Sequence, residues 1–378
     1  MTQEGLEQFI NKQGWSMFGI AKFEDIRKNL IKHEKIFQEW FKKGYGADMD
    51  YLKRMENDRY HPERKLADIK SVIVLGANYY SGDYCGDNSR DNRSINSPND
   101  SPFNCGNVAR YARGKDYHKI LKKRLIVLAD FLKTRSVAAD ETRTYISVDS
   151  GPTVDRVLAE SAGLGFFGKN TCIIDPSRGS FFFIASVYTN IELPETEKRR
   201  MPNCGNCQKC MKACPTGALI APGKLDARKC ISYLTIENKG VIPKNLRSKI
   251  GNRIFGCDAC QEVCPFNIGR AHHQQIAIDK LKSENGVGDS LDLKEILSIQ
   301  SDEEFQQKFA GTPLMRAKRR GLLRNACIVA GNSGIKELNA NIKKIIESES
   351  DAMLKEHAEW AFRLLAPNKN QNNVTRND

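Results

Sequence analysis

The 378-residue chain has no apolar run approaching the roughly 18 residues that span a bilayer, so no membrane-spanning helix is expected. Its first residues, MTQEGLEQFI, show no basic region followed by an apolar core. No secretory signal is read there, and a cytoplasmic location follows. Acidic residues are the scarcer charge: 46 Asp and Glu stand against 59 Lys and Arg, a net charge of +13 and a pI of about 9.1. Such a balance is unusual for an enzyme of small molecules alone and favours a polyanionic partner such as nucleic acid. A disulfide framework is also excluded, because thiols in the cytosol stay reduced. What is present is ordinary for a globular protein, at 40% hydrophobic and 28% charged, with length for two or three domains.

Three regions are distinguishable, 1–195, 196–285 and 286–378. The first reads as an α/β domain. Residues 2–13 predict a helix, Ser71–Asn78 a buried strand, and 116–135 a long amphipathic helix. Tyr145–Val148 reads as a strand, followed by a Gly-Pro turn and a helix over 152–162. Thr171–Ile174 and Ser180–Tyr188 read as further strands. Residues 81–106, rich in Ser, Asn, Asp, Gly and Pro, read as a flexible loop. The last region is helical over 314–331 and 351–365, with Gly331–Gly334 between helices, in the manner of a HEAT-like repeat.

The cysteines carry the first chemistry. Cys204, Cys207, Cys210 and Cys214 form C-x2-C-x2-C-x3-C followed by Pro215. Cys257, Cys260 and Cys264 repeat the last three-quarters of that pattern before Pro265, and Cys230 supplies the missing ligand. This is the bacterial ferredoxin spacing. Two-residue gaps let three thiolates curl round one cubane, and the three-residue gap turns the fourth toward a second. One [4Fe–4S] cluster would then take Cys204, Cys207, Cys210 and Cys264, and the other Cys214, Cys230, Cys257 and Cys260. Structural zinc also uses C-x2-C pairs, but it needs neither the third Cys at x2 nor Pro after both runs. Cys85, Cys105, Cys172 and Cys327 read as ordinary free thiols.

In the first region, Val148-Asp149-Ser150-Gly151-Pro152 puts a carboxylate between a strand and a helix. That is where an α/β sheet presents residues to a ligand crevice, and equally where an aspartate serves as a helix N-cap. Arg110-Tyr-Ala-Arg-Gly114-Lys-Asp-Tyr-His118, Val148–Asn170, both cysteine runs, Cys230-Ile-Ser-Tyr-Leu-Thr and Gly251–Asp258 together resemble the epoxyqueuosine reductase family over nearly the whole chain. The resemblance implies a cobalamin-binding N-terminal domain, a ferredoxin-like domain with two [4Fe–4S] clusters, and helical C-terminal repeats. It implies reduction of epoxyqueuosine in tRNA, with Asp149 the proton donor and electrons arriving from a reduced flavodoxin or ferredoxin. Such an acid is expected to be partly desolvated with a raised pKa. Family positions near the corrin match Arg59, Asp149, Lys169, Ser232 and Asp258. The D-x-H-x-x-G loop whose His ligates cobalt is absent: Asp116-Tyr-His118-Lys-Ile-Leu121 has Leu in place of Gly, and His118 reads as a helix-surface or packing residue.

Two basic groups remain. Lys239, Lys244, Arg247, Lys249 and Arg253 lie within the cysteine module, and Arg316, Lys318, Arg319, Arg320 and Arg324 lie in the tail. Each alone reads as a solvated face. Together they are the expected tRNA surface, with Lys239, Arg247, Arg253, Arg316, Arg319 and Arg320 as its contacts. A monomer without membrane association is expected. A corrinoid reductive dehalogenase and a non-catalytic ferredoxin-type carrier are the competing readings.

Overall fold

A computed structural model describes residues 3–80, 104–135, 139–149, 151–268 and 276–366. Most of the loop expected at 81–106 therefore lies outside the described residues, as does Cys85. The end of that stretch is not loop, because Cys105–Val108 is a strand.

The first region is built on a four-stranded sheet in the order Met17–Lys22, Ser71–Asn78, Phe182–Thr189, Thr144–Ser147. Every pairing in it is antiparallel. The expected α/β class is thus realised with an antiparallel sheet rather than a parallel, doubly wound one. Ser71–Asn78 reads as a continuous apolar run because both its faces are covered. Ile73, Leu75 and Ala77 pack with the helices Gln3–Lys12 and Tyr117–Arg135. Val72 and Val74 pack with Phe23–Lys42 and Asp155–Ser161. The period-two alternation of a strand assigns these side chains to opposite cores, and each buried Ile, Leu or Val contributes about 1.5–3 kcal/mol.

The three regions interlock. Cys105–Val108 pairs in parallel with Arg253–Phe255 from the cysteine module and antiparallel with Ser290–Asp292 from the tail. Val108, Ile254, Phe255 and Leu291 continue into the core of the C-terminal helices. There the helix Lys318–Ser333 runs through the segment read as a break, and ends at Gly334 with φ of 72°. Gly331 is interior to that helix for a packing reason: a Cβ there would meet the Trp360 ring at 2.7 Å. Among the described residues no helix is long and apolar enough to cross a membrane.

Candidate active site

Asp149 follows the strand Thr144–Ser147 and has φ of 49°. That left-handed conformation is uncommon outside glycine, and Asn and Asp tolerate it best. It is not a helix cap, since the next helix begins at Asp155 with Val154 before it and no side-chain cap bond. Its carboxylate instead meets the first turn of Tyr117–Arg135. The Tyr117 hydroxyl donates to Asp149 Oδ2, and His118 Nε2 lies 3.6 Å from the same oxygen. Asp116 completes the group: its Oδ1 accepts from the His118 backbone N–H at 3.1 Å and lies 2.9 Å from His118 Nδ1. Tyr117 is held between the His118 and Phe183 rings, each stacked 4.1 Å away.

His118 is therefore a partner of Asp149 rather than a packing residue. The sequence named His118 only as a surface or packing residue and gave Tyr117 no role. The available signal was a polar Asp-Tyr-His turn opening a long amphipathic helix, but the contact spans 32 residues.

The electrostatics reverse one expectation. Burial raises the Asp149 pKa, but hydrogen bonds from His118 and Tyr117 and the charges of His118 and Arg156 outweigh it, and the net direction is down. His118 is pushed up to about 9, because bonds to Asp116 and Asp149 outweigh its own desolvation. Near neutral pH the pair is an ionised carboxylate beside a protonated imidazole. The Asp149 side chain is 61% exposed although protein surrounds it, as befits the wall of an open recess. Nearby, burial and the Asp149 charge push Asp155 up to about 6, while Thr153 Oγ1 donates to it at 2.8 Å. Arg156 donates to the Thr171 carbonyl at 2.8 Å.

The cysteines form two groups. Cys204, Cys207, Cys210 and Cys264 line one cavity together with Lys169, Asn170, Lys209 and Phe266. Cys230 sits within electrostatic reach of Cys214, Cys257 and Cys260. The lining of the first cavity brings the late cysteine of the second run beside the early three of the first. Cys105 and Cys327 are buried and Cys172 half-buried, and among the described residues none of the three is in a disulfide.

The five positions matched to a corrin differ in exposure, from exposed Asp149 to buried Asp258. Arg59 is half-buried beside Tyr51, Asp155 and Arg156, and its Nη1 is buried with no hydrogen-bond partner among the described residues. Such an orphaned donor suits a bound polar group. Ser232 is half-buried on the helix Ile231–Ile236. Lys169 and Asp258 are engaged elsewhere. Lys169 Nζ donates to the carbonyls of Gly205 and Cys207 at 2.6 and 2.9 Å. Asp258, 2% exposed, accepts from the Arg110 backbone N–H at 2.8 Å. It ties the segment before Tyr117 to the second cysteine run.

The basic groups also divide. Arg247 is fully buried, bonded to Glu356 at 2.6 Å and to the Ile242 carbonyl, with Trp360 beneath its guanidinium. Arg319 has 12% exposure and is taken by Glu349 and the Ile299 carbonyl. Neither presents a free charge to a phosphate, so both are corrected to structural residues. Arg253 is half-buried and bonds the Ile250 carbonyl. Lys239, Arg316 and Arg320 do form one exposed strip, in which Lys239 Nζ donates to the Arg316 carbonyl and Arg320 to the Lys239 carbonyl, while Arg316 pairs with Glu237 at 2.8 Å and Arg320 with Asp351 without either leaving the surface. Arg316 lies over the Tyr51 ring at 5.7 Å, and its charge reaches Tyr111 alongside that of Asp149. The strip therefore borders the recess.

Fold and site together define an iron–sulfur reductase in which a double-cluster module adjoins a separate acid-bearing recess. Residues 203–267 match the family of 4Fe-4S double cluster binding domains, and residues 59–150 match the family described as epoxyqueuosine reductase QueG, DUF1730. The epoxyqueuosine reductase of Pseudomonas aeruginosa is 36% identical over 95% of this chain and 93% of its own. The crystal structure of an epoxyqueuosine reductase with an epoxyqueuosine-modified tRNA-Tyr stem loop superposes with a TM-score of 0.71, at 30% identity over 96% of this chain and 98% of that one. A Bacillus subtilis epoxyqueuosine reductase, solved with a catalytic aspartate loop swung out of its active site, gives a TM-score of 0.71 at 29% identity, covering 96% and 99%. The chain belongs to the epoxyqueuosine reductase family.

Proposed function

We infer that this protein reduces epoxyqueuosine in tRNA to queuosine. The observation that carries the reading is the recess at Asp149, set against a two-cluster module in a chain similar from end to end to epoxyqueuosine reductases. Removing the epoxide oxygen as water takes two electrons and two protons and leaves the cyclopentene. Two clusters are suited to passing those electrons one at a time. Cobalamin, which the resemblance implies, would supply low-potential reducing chemistry in the recess, with Arg59 and Ser232 among the residues holding it.

The proton side belongs to the chain's own residues. Asp149 is the group that hands a proton to the departing oxygen, and general acids contribute about 10²–10⁴-fold. In the open recess the mobile proton rests mainly on His118. A substrate that expels water from the recess weakens the carboxylate's solvation and favours its protonated form. His118 then serves as the proton store, oriented by Asp116, while the Tyr117 hydroxyl fixes Asp149 Oδ2. The strip of Lys239, Arg316 and Arg320 meets phosphates at the recess mouth, and the modified base enters after leaving its stack.

Anaerobically reconstituted protein, supplied with cobalamin and a chemical reductant, should convert an epoxyqueuosine-bearing stem loop to the product lacking one oxygen in a single turnover, read by mass spectrometry of the nucleoside. Protein with its full iron content that leaves the base unchanged would overturn this function.

A further inference from the structure

Residues 198–225 contain six basic residues, Lys198, Arg199, Arg200, Lys209, Lys212 and Lys224, and no Asp or Glu. All six are exposed. Lys198 lies 3.9 Å from Asp25 and Arg199 3.3 Å from Asp175. Among the described residues Arg200, Lys209, Lys212 and Lys224 have no ion-pair partner. This charge surrounds one feature, the loop of the first cysteine run. Lys209 itself walls the cavity of Cys204, Cys207, Cys210 and Cys264. Lys212 follows on the same short helix, Lys209–Ala213. The turn before Lys224 is anchored there, since Gly223 N–H donates to the Lys169 carbonyl at 2.9 Å while Lys169 Nζ holds the cysteine loop. Arg200 precedes Met201, which packs against the cluster of Phe166, Ile174 and Cys264.

The two cysteine groups differ in what lies beside them. Cys230, Cys257 and Cys260 are half-buried, and Asp258 among them, 2% exposed, is tied to Arg110 on the recess side. In the first group Cys264 is buried, but Cys204, Cys207 and Cys210 are half-buried on a loop whose Gly205 and Asn206 are exposed. Electron transfer weakens steeply with distance, so a donor must approach the outer cluster closely. The recess has its own basic strip for phosphates, whereas this second face frames the point of electron entry.

We propose that the face formed by Arg200, Lys209, Lys212 and Lys224 over the first cysteine loop docks a small acidic one-electron carrier protein. At each encounter the carrier is oxidised by one electron and the outer cluster is reduced by one, so two encounters supply the two electrons that epoxide reduction needs. Complementary charge speeds such encounters and makes them salt-dependent. The proposal rests on the cluster assignment above. Nucleic acid is the other polyanion this charge could attract, and the test separates the two.

Holoprotein carrying Lys209→Glu with Lys212→Glu, and separately Arg200→Glu with Lys224→Glu, is compared with the unsubstituted chain. Iron content and the extent of bleaching by excess dithionite come first; an unsubstituted protein that does not bleach would refute the cluster assignment rather than the docking face. The probe is a reduced acidic flavodoxin, mixed by stopped flow at low and high salt. Each double variant should be reduced about tenfold more slowly at low salt, with the difference closing at high salt and tRNA affinity held within about twofold. If the Lys209 and Lys212 pair loses iron, the Arg200 and Lys224 pair, outside the cysteine loop, decides. Unchanged reduction by flavodoxin, or tRNA affinity that falls as far as the reduction rate, overturns the proposal.

Discussion

Replacing Asp149 by Asn keeps the shape of the side chain and an acceptor for the Tyr117 hydroxyl, while removing the transferable proton and the negative charge beside His118. Asn tolerates the left-handed backbone that this position adopts, so the loop should keep its course. The carboxylate is 61% exposed, so its ion pair with His118 is screened and worth no more than about 1 kcal/mol of stability. The chemical loss should be far larger. A factor of about 10²–10⁴ in single-turnover rate corresponds to about 2.7–5.4 kcal/mol at about 1.36 kcal/mol per decade. The pH profile adds a second readout. His118 has its folded-state pKa raised to about 9, so its contribution is present below its ordinary value of 6.5 and is lost as pH rises through about 9. Asp149 has its pKa lowered, so its contribution is present above the ordinary carboxylate value of 3.8 and is lost as pH falls below it. The unsubstituted protein should therefore lose activity as pH rises past about 9. In the Asn variant the residual activity should fall at lower pH, because His118 has lost one of its two carboxylates. Near-normal conversion by Asp149→Asn, with iron and tRNA binding intact, would refute the assignment of the acid. An unmoved alkaline limb would remove His118 from the relay.

Cys230→Ala should lower iron from about eight to about four atoms per chain, since Cys230 would ligate only the second cluster; full iron retention would contradict that ligand set. Charge reversal at Arg316 and Arg320 should weaken tRNA binding and flatten its salt dependence, whereas an unchanged salt slope would exclude the strip from the interface. Arg247→Ala should act differently, costing on the order of 2 kcal/mol of stability through lost charged hydrogen bonds and leaving the salt slope as it was. Thermal unfolding and a salt titration on the same samples separate the two.

The cysteine pattern was legible in the sequence because cluster ligation is largely local: gaps of two residues determine where three thiolates can point. Ser71–Asn78 and Tyr117–Arg135 were legible for the same reason, since a covered strand and an amphipathic helix write their periods into adjacent residues. The direction of the first sheet was not, because an apolar run covered on both faces reads alike in parallel and antiparallel surroundings. Charge was legible as composition but not as position. Arg247 and Arg316 are indistinguishable in the sequence, yet one is buried under Glu356 and Trp360 and the other borders the recess. Asp149 itself could be named from its segment, but its protonation could not. That depends on Tyr117 and His118, which only the packing of the long helix against the sheet brings to the carboxylate, and a pKa is set by neighbours in space rather than in sequence.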